Sequence, residues 1–244
     1  MKVIEMQDIK SKIEKIIQRN TKNEYIIDFS FLEGLVPKKF KKLKYGITIG
    51  IKLDDRIVDD IASGPTLEYA EHYHQLNTTL NKIAGNTKNM LKRQGYEAEV
   101  IKSTLRTKEE KKYPNYFKTL AVEFPHKTAA TRSGLGWIGK SALFISYEFG
   151  PRVRLVTVLT NKSLDCGQPI KTGLCGTCDI CIKKCPAKAS NGRTWTAGMK
   201  REDFYDAHKC RETAKELSMV RMGIDEIMCG ICIAACPIGK REGG

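Results

Sequence analysis

The first 165 of the 244 residues contain no cysteine, although the chain holds nine. A secreted protein stapled by disulfides would not segregate its cysteines in this way, so that class is excluded. No apolar run approaches the roughly 18 residues that span a bilayer. The opening stretch, MKVIEMQDIKSKIEKIIQRN, interrupts its isoleucines with acids and bases and lacks the unbroken apolar centre of a signal peptide. These absences predict a cytoplasmic protein. Acidic residues are few against basic ones, 28 to 42, leaving a net charge of +14 that fits a polyanion such as RNA or an acidic protein partner. The densest basic run, KKFKKLK at 38–44, holds a single aromatic, Phe40, and reads as a solvated face rather than a base-stacking platform.

What is present suffices for a core: 41% of residues are hydrophobic, which argues against global disorder. Ile9, Ile13, Ile16 and Ile17 recur at helical spacing. YIIDFSFL, YGITIGIKL, YEAEVIKS, LAVEF, ALFISY and RVRLVTVLT read as strands, and 67–94 as a long helix broken near Gly85. Beyond about residue 160 the chain turns to short loops, cysteines and two small helical stretches, with no flexible linker in between. The expected architecture is an α/β or α+β layered domain over 1–160, followed by a small bacterial-ferredoxin-like domain over 161–244.

The stretch GLGWIGKS, residues 134–141, satisfies two nucleotide patterns at once, the G-x-x-x-x-G-K-S phosphate loop and the G-x-G-x-x-G dinucleotide fingerprint. Both need a strand before the glycines and a helix after them. Here the order is inverted. HKTAATRS, before, reads as a helical turn or loop, and ALFISYEFG, after, reads as a strand. Nucleotide binding is therefore rejected. Gly134, Gly136 and Gly139, beside Trp137 and Lys140, are expected to form a tight turn that lets backbone lie close to something flat or bulky, or a turn whose tryptophan fills the core.

CGTCDICIKKCP places Cys175, Cys178, Cys181 and Cys185 before Pro186, the C-x2-C-x2-C-x3-C-P run of bacterial ferredoxins. The x2 gaps let one loop wrap three corners of a cubane, and the fourth cysteine serves the other cluster. CGICIAACP gives Cys229, Cys232 and Cys236 before Pro237, and Cys210 completes that set from a distance. Crossed ligation predicts two [4Fe-4S] clusters, one on Cys175, Cys178, Cys181 and Cys236, the other on Cys210, Cys229, Cys232 and Cys185. Gly176, Thr177, Gly230, Ala234 and Ala235, small residues between ligands, leave room for sulfides and N–H donors. Two zinc sites would also use eight thiolates but need neither the third x2-spaced cysteine nor the paired C-P endings. Cys166 is left over and reads as a buried thiol.

The order of the glycine turn, the strand region after it, the two cysteine motifs and Cys210 resembles the epoxyqueuosine reductase family, cobalamin-dependent iron–sulfur enzymes related to reductive dehalogenases. EYAEHYHQLNTTLNKI, through Tyr73 and His74, resembles that family's tyrosine–histidine helix. The resemblance covers roughly residues 60–240. It implies an external ferredoxin- or flavodoxin-type reductant, two [4Fe-4S] clusters, a base-off corrinoid held against the α/β domain, and a protein acid that supplies a proton. In the named enzyme the substrate is a modified base in tRNA; membrane and DNA are not expected partners. By this resemblance Gly134, Gly136, Trp137, Gly139 and Lys140 lie near the corrinoid. The family's Asp-Ser-x-Pro stretch is replaced by AVEFPHKTAATRSG, so Glu123 and His126 become the acid candidates, alongside Tyr73 and His74. The further C-terminal helical-repeat region of many tRNA-acting members does not follow IGKREGG, so a different substrate is also expected. DAHKCR nearly meets a cobalamin-binding Asp-x-His-x-x-Gly pattern, but Arg211 stands at the glycine position and Cys210 has its own role. Two other classes compete: a ferredoxin-type module that reduces a corrinoid protein or another partner, and an RNA-binding scaffold with structural clusters.

Overall fold

The computed structural model describes residues 2–104 and 115–240. It divides into two compact units that interleave along the chain and cross the boundary near residue 160. One comprises Met1–Ile51, Gln75–Leu135 and Arg154–Pro169; the other comprises Lys52–His74, Gly136–Val153 and Ile170–Gly244.

The first unit is built on a four-stranded sheet of order β1-β2-β6-β3. β1 (Tyr25–Phe31) and β2 (Tyr45–Lys52) pair antiparallel from Tyr25↔Ile51 to Phe31↔Tyr45. β3 (Ala98–Ile101) and β6 (Val153–Thr160) pair antiparallel from Ala98↔Thr160 to Ile101↔Thr157. β-Branched residues run through β2 and β6 on both faces, and both faces are buried, so this sheet is covered on two sides. Helix α1 (Lys2–Asn20) buries Ile9, Ile13 and Ile17, the stripe its spacing predicts. Each such side chain contributes about 1.5–3 kcal/mol when taken fully out of water.

Helix α3 (Leu67–Arg93) runs unbroken through Gly85. A mid-helix glycine costs about 1 kcal/mol relative to alanine. The burial of Leu80, Ile83, Ala84 and Leu91 around it outweighs that cost. The strand expected at LAVEF does not form. Leu120 adopts a left-handed φ of 48° and ends the single helical turn α4 (Tyr116–Thr119), and of the remaining four residues only Phe124 is buried. HKTAATR forms helix α5 (His126–Arg132), which packs on β1.

In the second unit, α2 (Asp55–Asp60) is capped by Asp54, whose carboxylate accepts from the Arg56 and Ile57 amides. Buried Arg152 ties this helix down: it donates to Asp55 Oδ1 at 3.0 Å and Asp59 Oδ1 at 2.5 Å, while Lys52 donates to Asp55 Oδ2 at 2.7 Å. β4 (Gly136–Ile138) and β5 (Phe144–Ser146) form a hairpin. The cysteine-bearing segment contains α6 (Ile180–Lys183), α7 (Ala207–Met222) and α8 (Ile231–Ala235). Two short helices were expected here. The 16-residue α7 is the addition, started by the Asp206 side chain on the His208 and Lys209 amides and stopped by Gly223 at φ 70°.

Candidate iron–sulfur site

Cys175 and Cys178 lie in a tight turn closed by the Cys178 amide on the Cys175 carbonyl (3.1 Å), Cys181 lies in α6, and Cys185 follows it. Cys210 is in the first turn of α7, Cys232 is in α8, and Cys229 and Cys236 flank α8. Gly230, at φ 84°, lets that loop close on the second unit's own packing: a Cβ there would sit 2.2 Å from the Ile61 side chain. α8 packs against α6, α2 and the turn Ile61–Ser63, which brings the two cysteine motifs together.

The thiols sort by their neighbours. Burial pushes Cys181 up, and Cys175 and Cys178 beside it push the same way. Burial pushes Cys236 up to about 11, with Cys181, Cys175 and Cys178 as its sulfur neighbours. Burial raises Cys210, with Cys185 beside it, and raises Cys229, with Cys210 and Cys185 beside it. Cys232 is raised by burial, then by Cys229, Cys210, Cys181 and Cys185. Thiols held this way lose their protons only to a strong local positive charge, which coordinated iron supplies. Their donor chemistry therefore fits a four-thiolate cluster. The Ile231 amide opposes the rise of Cys229, the Ile238 amide that of Cys236 and the Tyr205 hydroxyl that of Cys210. Tyr205 itself is raised, first by burial and then by Cys210. Sequence reasoning missed Tyr205, since a tyrosine five residues before a cysteine carries no signal.

The GLGWIGKS stretch lies beside the first motif. Helix α5 precedes it and the hairpin follows, so the inverted order holds. Its glycines meet protein. A Cβ on Gly134 would lie 2.8 Å from the Gln168 carbonyl oxygen, and on Gly136 2.0 Å from that of Ile145; on Gly139 it would meet the Ile145 side chain at 2.8 Å and Cys175 Sγ at 3.5 Å. Trp137 is buried and its Nε1 donates to Cys175 Sγ at 3.5 Å. Lys140 Nζ donates to the carbonyls of Gly176 (2.8 Å) and Cys178 (3.0 Å). The close approaches of these five residues are to backbone, Ile145 and the cysteine loop.

The acid candidates have partners of their own. Glu123 is half-exposed and paired with Lys39. His126 Nε2 donates to the Lys102 carbonyl (2.8 Å), which leaves Nδ1 to accept from the Thr157 hydroxyl (2.9 Å). Burial lowers its pKa to about 4, so the ring is neutral at pH 7 with both nitrogens engaged. His74 Nε2 lies 3.0 Å from the Glu226 carboxylate, and the Tyr73 ring meets the His74 ring edge-on at 5.5 Å. Cys166 donates to the Leu164 carbonyl and its thiol is pushed up to about 11 by burial and by Asp165 and Asp28.

Residues 174–239 match the family described as 4Fe-4S double cluster binding domain. The chain is 31% identical over 123 residues to an epoxyqueuosine reductase of Lactococcus garvieae, covering 46% of this chain and 31% of that protein. It is 34% identical over 122 residues to a tetrachloroethene reductive dehalogenase of Sulfurospirillum multivorans, covering 46% and 23%. The chain thus spans about a third or less of the curated relatives it matches. Among solved structures, a reductive dehalogenase whose structure suggests a mechanism for B12-dependent dehalogenation aligns with TM-score 0.69 at 17% identity, over 94% of this chain and 31% of that one. An epoxyqueuosine reductase bound to an epoxyqueuosine-modified tRNA stem loop aligns with TM-score 0.58 at 14% identity, over 96% and 66%. Residues 174–239 thus match the 4Fe-4S double cluster binding domain, in a chain that shares its fold with reductive dehalogenases and epoxyqueuosine reductases.

Proposed function

We propose that this protein is an iron–sulfur reductase of the epoxyqueuosine reductase type. Cys175, Cys178, Cys181 and Cys236 hold one [4Fe-4S] cluster, and Cys185, Cys210, Cys229 and Cys232 hold the other. The observation that carries this reading is the neighbourhood of the partly buried thiols: Cys236 lies among Cys181, Cys175 and Cys178, and Cys210 and Cys229 lie with Cys185, so each set is completed by a cysteine from the opposite motif, while Cys232 neighbours Cys229, Cys210 and Cys185 as well as Cys181. The clusters, when bound, supply one-electron steps. The chain holds the thiolates, partly shields them from water and sets the Ile231 and Ile238 amides and the Tyr205 hydroxyl beside them. An external ferredoxin- or flavodoxin-type protein delivers the electrons.

Cobalamin enters as the second cofactor through the dehalogenase relative's B12-dependent chemistry. The acid role in this reading falls to one of Tyr73, His74, Glu123 and His126; Glu123 pairs with Lys39, His126 is held by Lys102 and Thr157, and His74 lies 3.0 Å from the Glu226 carboxylate. RNA as substrate is supported by the relative's tRNA stem loop and by the net charge of +14. A concavity of about 340 Å³ between α1 and α3 in the first unit adds Lys12, Lys15, Arg19 and Arg93, with no acid in its lining. Among the described residues no helix is long and apolar enough to cross a membrane.

The attachment of Trp137 and Lys140 to the cysteine loop favours a second reading, a ferredoxin-type electron-transfer protein. One anaerobic titration separates the two. Reconstituted protein should absorb near ~400 nm and bleach on reduction, as thiolate-bound clusters do. Stoichiometric binding of cobalamin in its base-off form supports the reductase. Intact clusters that bind no cobalamin leave the electron-transfer protein, and failure to assemble clusters overturns both.

A further inference from the structure

The nucleotide-like stretch makes more contacts with the first cysteine motif than any role in a turn requires. Trp137 Nε1 donates to Cys175 Sγ at 3.5 Å. Lys140 Nζ donates to the Gly176 and Cys178 carbonyls at 2.8 and 3.0 Å. Ser141 lies near enough to the Cys181 thiol to oppose the rise that burial imposes on it. Gly139 leaves the space in which Cys175 Sγ sits, since a Cβ there would be 3.5 Å away. Thus two consecutive ligands, Cys175 and Cys178, are met from within this stretch, one at sulfur and one at its own carbonyl. Lys140 is only 8% exposed, so its ammonium group is largely withdrawn from solvent screening.

We propose that residues 137–141 form a cationic hydrogen-bonding cradle that sets the reduction potential of the first cluster. This rests on the reading of the eight thiols as ligands of two clusters. The physical argument is one of sign. Reduction adds a negative charge to a cluster and its thiolates. A buried ammonium, an N–H donor on one sulfur and a hydroxyl beside another stabilise the reduced form more than the oxidised one, which raises the potential. Among the described contacts the second motif has the Tyr205 hydroxyl, a neutral group, beside Cys210. The cradle therefore biases electrons toward the first cluster. A loop whose letters spell a phosphate cradle is here turned toward another polyanionic group, one that carries sulfur.

The test is a potentiometric titration monitored by electron paramagnetic resonance on the anaerobically reconstituted full chain. Cys178→Ser identifies which signal belongs to the first cluster. Lys140→Met keeps the length of the side chain and removes the charge; Trp137→Phe removes the donor to Cys175, and Ser141→Ala the hydroxyl near Cys181. Iron and acid-labile sulfide content checks that both clusters are present before any potential is compared. In Lys140→Met the first cluster's reduction equilibrium should fall by about tenfold, equivalent to about 59 mV more negative for a one-electron couple. The second cluster should stay within about threefold of wild type. Trp137→Phe and Ser141→Ala should move the first cluster in the same direction by less. Wild-type potentials in every variant that retains both clusters overturn the proposal. So does loss of the first cluster in all three variants, because the contacts then hold the loop instead of tuning the cluster. Wild-type protein that assembles no clusters defeats the underlying ligand reading instead.

Discussion

β2 and β6 bury all but one residue each, whereas α6, which carries Cys181, buries none. The two units thus reach order by different routes. In the sheet unit, isoleucine, valine and leucine are removed from water on both faces, and α1 and α3 each add an apolar stripe. In the cysteine unit the helices around the ligands are four, sixteen and five residues long, the ligand thiols are only partly buried, and the apolar cluster of Ala142, Trp195 and Phe204 is small. Helices of four and five residues do not persist alone. The sheet carries its own stabilisation; the cysteine segment gains much of its order from whatever its thiols bind.

The strongest way to break this comparison is to take the clusters out. Chelation of iron under oxidising conditions should abolish amide exchange protection across 175–185 and 229–236 while β1, β2 and β6 keep theirs. Equal loss of protection in the sheet would show that the units are not independent in this respect. Next in size, Ile49→Ala removes a fully buried side chain from the middle of β2 and should cost about 2–5 kcal/mol in a denaturant titration. Iron content per folded chain should be unchanged. Arg152→Met should cost less, about 1–3 kcal/mol, because the partner carboxylates of Asp55 and Asp59 are partly exposed and can regain water. Its effect should appear at α2 in exchange measurements.

A further effect, spread over a pH window, is a pH dependence. His126 has a folded pKa of about 4, lowered from about 6.5 by burial. Between those values the unfolded chain binds more protons than the folded one, so stability from this group is full above about pH 6.5 and is lost as pH falls toward 4. The difference in stability between wild type and His126→Gln should shrink across that window. A flat difference would mean that His126 titrates alike in both states.

Much of this was legible in the sequence for a physical reason. Strands with β-branched runs, the stripe Ile9, Ile13 and Ile17, and ligand spacings set by the size of a cubane are local patterns. LAVEF was misread because its apolar letters promise a strand, while a left-handed Leu120 turns the chain away. The break expected at Gly85 is absent because long-range burial exceeds the local preference. Least legible were the partners of the glycine turn. Gly134, Gly136 and Gly139 signal a close approach, but only the fold reveals that they approach the protein's own backbone, Ile145 and Cys175. Tyr205 and Ser141 became recognisable only once the folded chain brought them near enough to Cys210 and Cys181 to act on those thiols.

The central claim is the crossing of ligands between the two motifs, and paired cysteine substitutions test it most directly. In reduced, reconstituted protein, Cys178→Ser and Cys236→Ser should abolish or alter the same paramagnetic cluster signal, and Cys185→Ser and Cys229→Ser should affect the other. If Cys185→Ser instead perturbs the signal lost in Cys178→Ser and spares the one lost in Cys229→Ser, each motif keeps its own cluster and the account is contradicted.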